Sequence, residues 1–391
     1  MTAVTPGIAI VGVGETPVGR IPGSDSFELA RLAAARALRD AGLGPADIDG
    51  LFCGGSLVDD MYMYGARLAA RLRVAPRYST VLPLGGSSFC HAIIEAGLVI
   101  EAGLAETILV VAGDTLLSGL GAQTAINRFD TFQDARRERP YGFMMPAIYA
   151  MVARRHMELF GTTREQLAQV AVAARRHAAL NPLAQYRRPL SMSDVVGAAT
   201  VATPLGLFDC SPISDGAGAF VVTSVRRARE LAKPPVYVLA AAEAHTLEYD
   251  NPDRELTDSA AGVAGRAVFA AAGLTPRDVD LAEIYDCFTI TVLVTLEDLG
   301  FCAKGESGSF VERGAIELGG VLPVNTHGGL LSHGHPGTPA GIFHLIEAVK
   351  QLRREVEPER QVERAEVALV SGNSGVLRDS VVVLVGNREP S

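Results

Sequence analysis

The stretch Asn325 to Gly341, NTHGGLLSHGHPGTPAG, places three histidines among five glycines in seventeen residues. An imidazole framed by glycines can donate to a developing oxyanion or exchange a proton near neutral pH, because glycine lets backbone and substrate come close. His327, His333 and His335 have no neighbouring cysteine and no HExxH spacing, so the pattern predicts no metal site. A tight glycine crossover between core strands is the structural alternative for the same residues.

A second cluster, YDCFT, puts Tyr285, Asp286, Cys287 and a threonine hydroxyl just after the strand-like VDLAEIY. Ligands of open α/β sheets sit beyond strand ends, where Tyr285 can transfer a proton and Asp286 can orient a neighbour. Core packing and helix capping are the plain roles for the same two residues. In FDCSPISDGAGAFVVTS, Asp215, Gly216 and Gly218 suit a buried junction better than chemistry. GVGETP lacks the GxGxxG spacing of a dinucleotide site and reads as a structural turn.

These loops need a frame. The strand-like IAIVGVG precedes a helical SFELARLAAARALRDAGL that ends at Gly42, and ETILVVAG reads as a strand buried on both faces. Ala34–Asp49 is echoed by Gly265–Asp280, and Ala105–Asp114 by Ala365–Ser374, in the same order. Two ordered echoes predict duplicated α/β halves, 1–235 and 236–391. The segment 115–209, with helical YAMVARRHMELFG and TREQLAQVAVAARRHAALNP, is too long and too patterned for a linker and is expected to cap the cleft.

Composition narrows the classes. With 391 residues, 48% hydrophobic and 20% charged, the chain can bury a large core. A formal charge of -9 offers no general attraction for nucleic acid or an anionic membrane. The start lacks the pattern of a signal peptide, no apolar run reaches the roughly 20 residues of a membrane span, and the five scattered cysteines read as reduced thiols. A cytoplasmic protein is expected.

Taken together, NTHGGLLSHGHP, GHPG (Gly334–Gly337), YDCFTITVLVTLEDLGFCAKGESG and CSPISDGAGAFVV resemble the thiolase superfamily, particularly its sterol-carrier-protein-X and lipid-transfer branch, over nearly the whole chain. The resemblance implies a duplicated five-layer α/β/α/β/α fold, a homodimer, and a cap that helps bind acyl-CoA. Coenzyme A enters as the substrate's thioester, with no tightly bound cofactor. In a working thiolase a cysteine at the start of a buried helix takes the acyl group. That helix corresponds to GGSSFCHAIIEAGLVIEAG, where the match puts Gly86 at the nucleophile's position and Cys90 one turn farther in. The second catalytic cysteine is missing from VALVSGNSG.

What carries over is His335, which looks like the group that polarises the thioester carbonyl, with Asp286 at the family's acidic position and Tyr285 in place of a His or Asn. Gly86, His327, Gly329, His333 and Gly334 are expected to line the substrate site. Loss of the nucleophile redirects the expectation to retro-aldol cleavage of a β-hydroxyacyl-CoA, as in steroid degradation, with a separate companion subunit of OB-fold and zinc-ribbon type. Aldolases of this branch carry a tyrosine in the loop after the glycine-rich motif, where this chain has HPGTPAG. Acyl transfer through Cys90 or Ser87, and a non-catalytic acyl-CoA-binding subunit, are the alternatives.

Overall fold

The computed structural model describes residues 3–59, 62–129, 132–142, 144–247, 251 and 253–389. Nine strands form one mixed sheet: β1 (Ile8–Glu15), β2 (Gly50–Gly54), β3 (Tyr78–Leu82), β4 (Thr107–Thr115), β5 (Asp215–Ser224), β6 (Val236–His245), β7 (Leu281–Ile284), β8 (Val367–Ser374) and β9 (Asp379–Gly386). Their spatial order is β3-β2-β4-β5-β1-β6-β9-β8-β7. Read outward from the centre, the two sides repeat: β1, β5, β4, β2, β3 on one, β6, β9, β8, β7 on the other. The counterpart of β3 is reduced to a parallel bridge between Ala282 and Val324. The halves join where Ala9 and Ile10 of β1 pair antiparallel with Tyr237 and Val236 of β6.

The apolar strands are buried on both faces, and their period of two sorts the side chains between layers. Ile8, Ile10, Ile108, Val110, Phe220 and Val222 join an inner cluster with Val381 and Val383 of the other half. Two central helices, α2 (Ser88–Glu101) and α7 (Ile342–Arg353), supply Phe89, Ile93, Ile342 and Ile346 to that cluster. Alternate residues, Ala9, Val11, Leu109 and Val111, face outward onto α1 (Ser26–Ala41). On the far side α5 (Ala261–Ala272) covers the opposite faces of β6 and β9, and α6 (Thr289–Asp298) packs against α5. The two halves of the sheet each turn one face to α2 and α7 and the other to outer helices, which gives the helix/sheet/helix/sheet/helix layering that duplication implies.

The repeated text has a common physical purpose. α1 and α5 both end on a left-handed glycine, Gly42 (φ 70°) and Gly273 (φ 65°), followed by a single turn opened by proline. The carboxylate of Asp49 then accepts the N–H groups of Glu106 (2.9 Å) and Thr107 (2.8 Å) at the start of β4. Asp280 does the same for Glu366 (2.8 Å) and Val367 (2.9 Å) at the start of β8. Each aspartate thus ties the end of a helix–turn unit to a strand far along the chain.

GVGETP is corrected by the structure. β1 runs on through Gly12 and Gly14 to Glu15, and no turn interrupts it. Its glycines let α1 lie directly on the strand: a Cβ at Gly12 would come within 2.7 Å of Ala41 Cβ, and one at Gly14 within 2.5 Å of the Ala33 carbonyl oxygen.

Between the halves, α3 (Met145–Phe160) and α4 (Arg164–Ala179) pack on the second half, with Ile148, Tyr149, Leu167 and Val170 in the same cluster as Ile290 and Leu293. Among the described residues no helix is long and apolar enough to cross a membrane. Asp280→Ala removes a charged acceptor shared by two backbone donors and should lower stability by about 2–3 kcal/mol, with Asp49→Ala giving a similar loss. Urea unfolding at fixed protein concentration tests both, and an unchanged midpoint in either would refute the clamp.

Candidate active site

The loop Asn325–Gly341 is fixed from both ends of its glycine-rich run. Asn325, at φ 54°, pairs its side-chain amide with β7, accepting from Ile284 N (2.7 Å) and donating to Ile284 O (2.8 Å), as an added strand residue would. Asp286 accepts Leu330 N at 2.7 Å, and no side chain fits at Gly329 because the Asp286 carboxylate fills that space. The cap holds the outer side: Arg175 Nε donates to Ser332 Oγ (2.9 Å), Asn181 Nδ2 to His327 O (2.9 Å), and Gln185 N to His333 O (2.9 Å).

His335 leaves this loop at its far end. Its backbone N–H donates to Ser214 Oγ (2.9 Å) and its carbonyl accepts Ser214 N (3.2 Å). The neighbouring Asp215 is buried and takes N–H groups from Ile21, Leu117 and Ser118 within 2.9 Å, so this support is itself anchored. The ring of His335 meets the hydroxyl of Tyr285, Nε2 to Oη 2.9 Å. Because Gly337 N–H approaches Nδ1 at 3.3 Å, we assign Nδ1 as the acceptor and the ring proton to Nε2, which then donates to the phenol oxygen. Tyr285 therefore keeps its own proton for another acceptor. Phe129 of the short helix Ala122–Phe129 covers the imidazole edge-on, with ring centroids 5.6 Å apart.

Opposite this pair lies Gly86. A Cβ there would fall into the ring of Tyr285, 2.5 Å from Cε2, and onto the carbonyl oxygen of Asn373. The space that a nucleophilic side chain at this position would use is filled by the phenol. Cys90 lies in the inner core, 2% exposed, with its sulfur beside the backbone of Gly372. Burial pushes its thiol up to about 12, so it is held as the unreactive acid. Ser87 is 1% exposed and its Oγ has no hydrogen-bond partner, as is true of Asn373 Nδ2. Gly341, just before α7, approaches so closely that its Cβ would sit 2.6 Å from Gly86 O. The first turns of α2 and α7 thus converge beside the Tyr285–His335 pair.

Burial, then Cys287, then Asp286 hold the Tyr285 hydroxyl well above the ordinary phenol range, so it is a proton donor rather than a resting phenolate. Burial lowers His335 to about 4, keeping it neutral. The sequence-predicted residues divide. Tyr285, His335 and Gly86 meet directly, and Asp286 holds the loop behind them. Gly334, at φ 135°, is shaped by Val18 and Ser214. His327 and His333 make their contacts elsewhere, with Glu283, His344, Asn181 and Phe343. Two neighbouring residues were not anticipated. Tyr149 of the cap stacks on Phe288 (4.4 Å), and burial with Cys287 beside it raises its hydroxyl well above the usual range. Asn373 lies within VALVSGNSG, the segment from which the second cysteine is missing; its amide was the available signal.

Gly86→Ala should cost about 1–3 kcal/mol by overpacking and displace the Tyr285 ring; an unshifted thermal midpoint would mean the ring lies elsewhere. A second expectation concerns pH. His177 and His335 are both lowered by burial from 6.5 to about 4. Between those values the unfolded chain binds protons that the folded chain does not, so stability is full above pH 6.5 and falls as pH drops toward about 4. Urea midpoints that do not fall from neutral pH to about pH 5 would contradict the neutral assignment.

Comparison with known proteins agrees with this architecture. Residues 8–226 match the family described as thiolase, N-terminal domain, and residues 242–387 the thiolase C-terminal domain-like family. The chain is 37% identical to the 17-hydroxy-3-oxo-4-pregnene-20-carboxyl-CoA lyase of Mycobacterium tuberculosis, over 96% of this chain and 98% of that one. It is 36% identical to the acetyl-CoA acetyltransferase of Methanothermobacter thermautotrophicus, over 94% and 96%. Among solved structures, the Ltp2-ChsH2(DUF35) aldolase superposes with a TM-score of 0.86 at 34% identity, covering 99% of this chain and 100% of that one. The chain belongs to the thiolase superfamily, in its lipid-transfer branch.

Proposed function

We propose that this chain cleaves a carbon–carbon bond in a β-hydroxyacyl-CoA by a retro-aldol reaction. The observation that carries the reading is the Tyr285 ring standing where a side chain at residue 86 would be. Similar overall identity to a lyase and to an acetyltransferase leaves the choice to the site, and a site without room for a nucleophile there favours the lyase.

The geometry suggests a proton shuttle at one oxygen. The electron pair of the Cα–Cβ bond passes to Cα as the thioester enolate while the β-oxygen becomes a carbonyl. Because the resting phenol cannot take a proton before losing its own, both transfers are concerted with bond breaking: Tyr285 gives its proton to Cα as its oxygen receives the β-hydroxyl proton, and the phenol is regenerated. His335 donates from Nε2 to the phenol oxygen throughout and steadies the transient phenolate. Ser87 Oγ, Asn373 Nδ2 and the paired helix starts offer hydrogen bonds and positive potential to the enolate oxygen. In this scheme His335 acts through Tyr285 instead of on the thioester carbonyl, and one tyrosine suffices where HPGTPAG lacks the family's other one. Asp286 positions the loop.

The companion belongs to the same reading: the Ltp2-ChsH2(DUF35) aldolase is named as a pairing, and a homodimer with a separate OB-fold and zinc-ribbon subunit is proposed for this chain. The division into halves 1–235 and 236–391, with the cap at 115–209 in the first, and a cytoplasmic location complete the proposal.

Tyr285→Phe keeps the ring and removes the proton, and should cut retro-aldol turnover of the assembled enzyme by about 10²–10⁴-fold without unfolding it. His335→Ala should also lose turnover. Intact mass after incubation with acyl-CoA should show no covalent adduct. An acyl adduct that disappears in Cys90→Ala or Ser87→Ala would instead establish acyl transfer, and tight acyl-CoA binding with no turnover would establish a binding subunit.

A further inference from the structure

Behind the Tyr285–His335 pair lies a polar cluster that the proposed reaction does not use. Glu283 on β7, His327 in the glycine-rich loop and His344 in the first turn of α7 are 0%, 3% and 1% exposed. One ligand-type atom from each lies within 4.8 Å of the other two. Glu283 Oε1 is satisfied by Thr326 N (3.0 Å) and Oγ1 (3.1 Å), but Oε2 has no hydrogen bond and stands 2.9 Å from His327 Nδ1. Both ring nitrogens of His327 and both of His344 are likewise without hydrogen bonds. These three residues thus hold five buried polar atoms without a hydrogen bond, a costly arrangement unless a partner satisfies them, and one atom from each converges on the same spot. The nearby Glu347 is paired with Arg360 (2.5 Å) and Thr326 (2.6 Å), so it does not satisfy them.

We propose that Glu283, His327 and His344 bind a divalent d-block cation of the zinc type. Two imidazoles and one carboxylate are the donor set such ions prefer, and ligand atoms about 3.4 Å apart would place them about 2.0–2.1 Å from the metal. Binding would draw these atoms together by ring rotation from their present spacing of up to 4.8 Å. Asp286 Oδ1 lies 3.4 Å from His344 Nε2, which places a second carboxylate against a ligand, the arrangement that orients metal-bound histidines. The ion would link β7, the loop and α7 directly behind Asp286. It has a structural role here, since Tyr285 and His335 do not belong to the ligand set.

The full chain, expressed without its companion so that a zinc-ribbon partner contributes nothing, is stripped with a chelator and titrated with Co²⁺ alone. About one Co²⁺ per chain should bind with the visible absorption of a low-coordinate nitrogen and oxygen site, and zinc should compete for it. Glu283→Gln and His327→Asn should each weaken binding at least tenfold. The idea is overturned if the folded wild-type chain takes up no stoichiometric Co²⁺, a result that needs no variant to fold. It is also overturned if binding survives in both variants or shows thiolate charge-transfer absorption, which would assign the metal to cysteine. Loss of the site would leave the retro-aldol reading intact, because that reading is tested by Tyr285 turnover.

Discussion

A side chain at residue 86 and the ring of Tyr285 cannot share one space. That exclusion governs the chemistry open to the fold, because the start of α2 is where a thiol would have to stand to be acylated. With glycine there, the phenol comes against the backbone of Gly86 and Asn373 and within hydrogen-bond reach of His335. The surroundings follow from this placement. Asp286 must hold the loop beneath the ring, Ser214 must hold His335 at the right height, and Gly341 must let α7 approach α2.

Burial then sets the protonation states. The same enclosure that raises the phenol's pKa lowers that of the imidazole, so neutral groups face each other and no charge has to be desolvated before substrate arrives. A neutral pair poised in this way suits the transient transfer of one proton better than the storage of a stable thiolate.

Local text disclosed the frame well. The glycine caps, the buried strand ETILVVAG and the echoed helix–turn units depend on near neighbours, and they stand where periodicity puts them. GVGETP misled because glycine signals a turn and also a close approach, and only the position of α1 distinguishes the two. The site was legible in part. His335 and Tyr285 announced themselves by residue type, but their contact, and the contact of Tyr285 with Gly86, joins segments that only the tertiary fold brings together. Tyr149 was invisible for the same reason: on its own helix it reads as an ordinary apolar face, and its neighbours Phe288 and Cys287 come from the other half. His327 and His333 looked equivalent to His335 by spacing, yet the fold sets His327 against Glu283 and His344, and His333 against Asn181 and Phe343.

The two aspartate clamps carry a further implication for how such a fold acquires chemistry. Asp49 reaches a strand 57 residues ahead, whereas Asp280 reaches its equivalent across 86. By the logarithmic dependence of loop closure on length, the longer span costs only about 0.4 kcal/mol more. The additional chain is the region that includes the Asn325–Gly341 loop. A closed frame of this kind can therefore lengthen one of its two copies at little thermodynamic expense while the other remains spare, and the asymmetry on which a reaction depends can grow inside an otherwise symmetric scaffold.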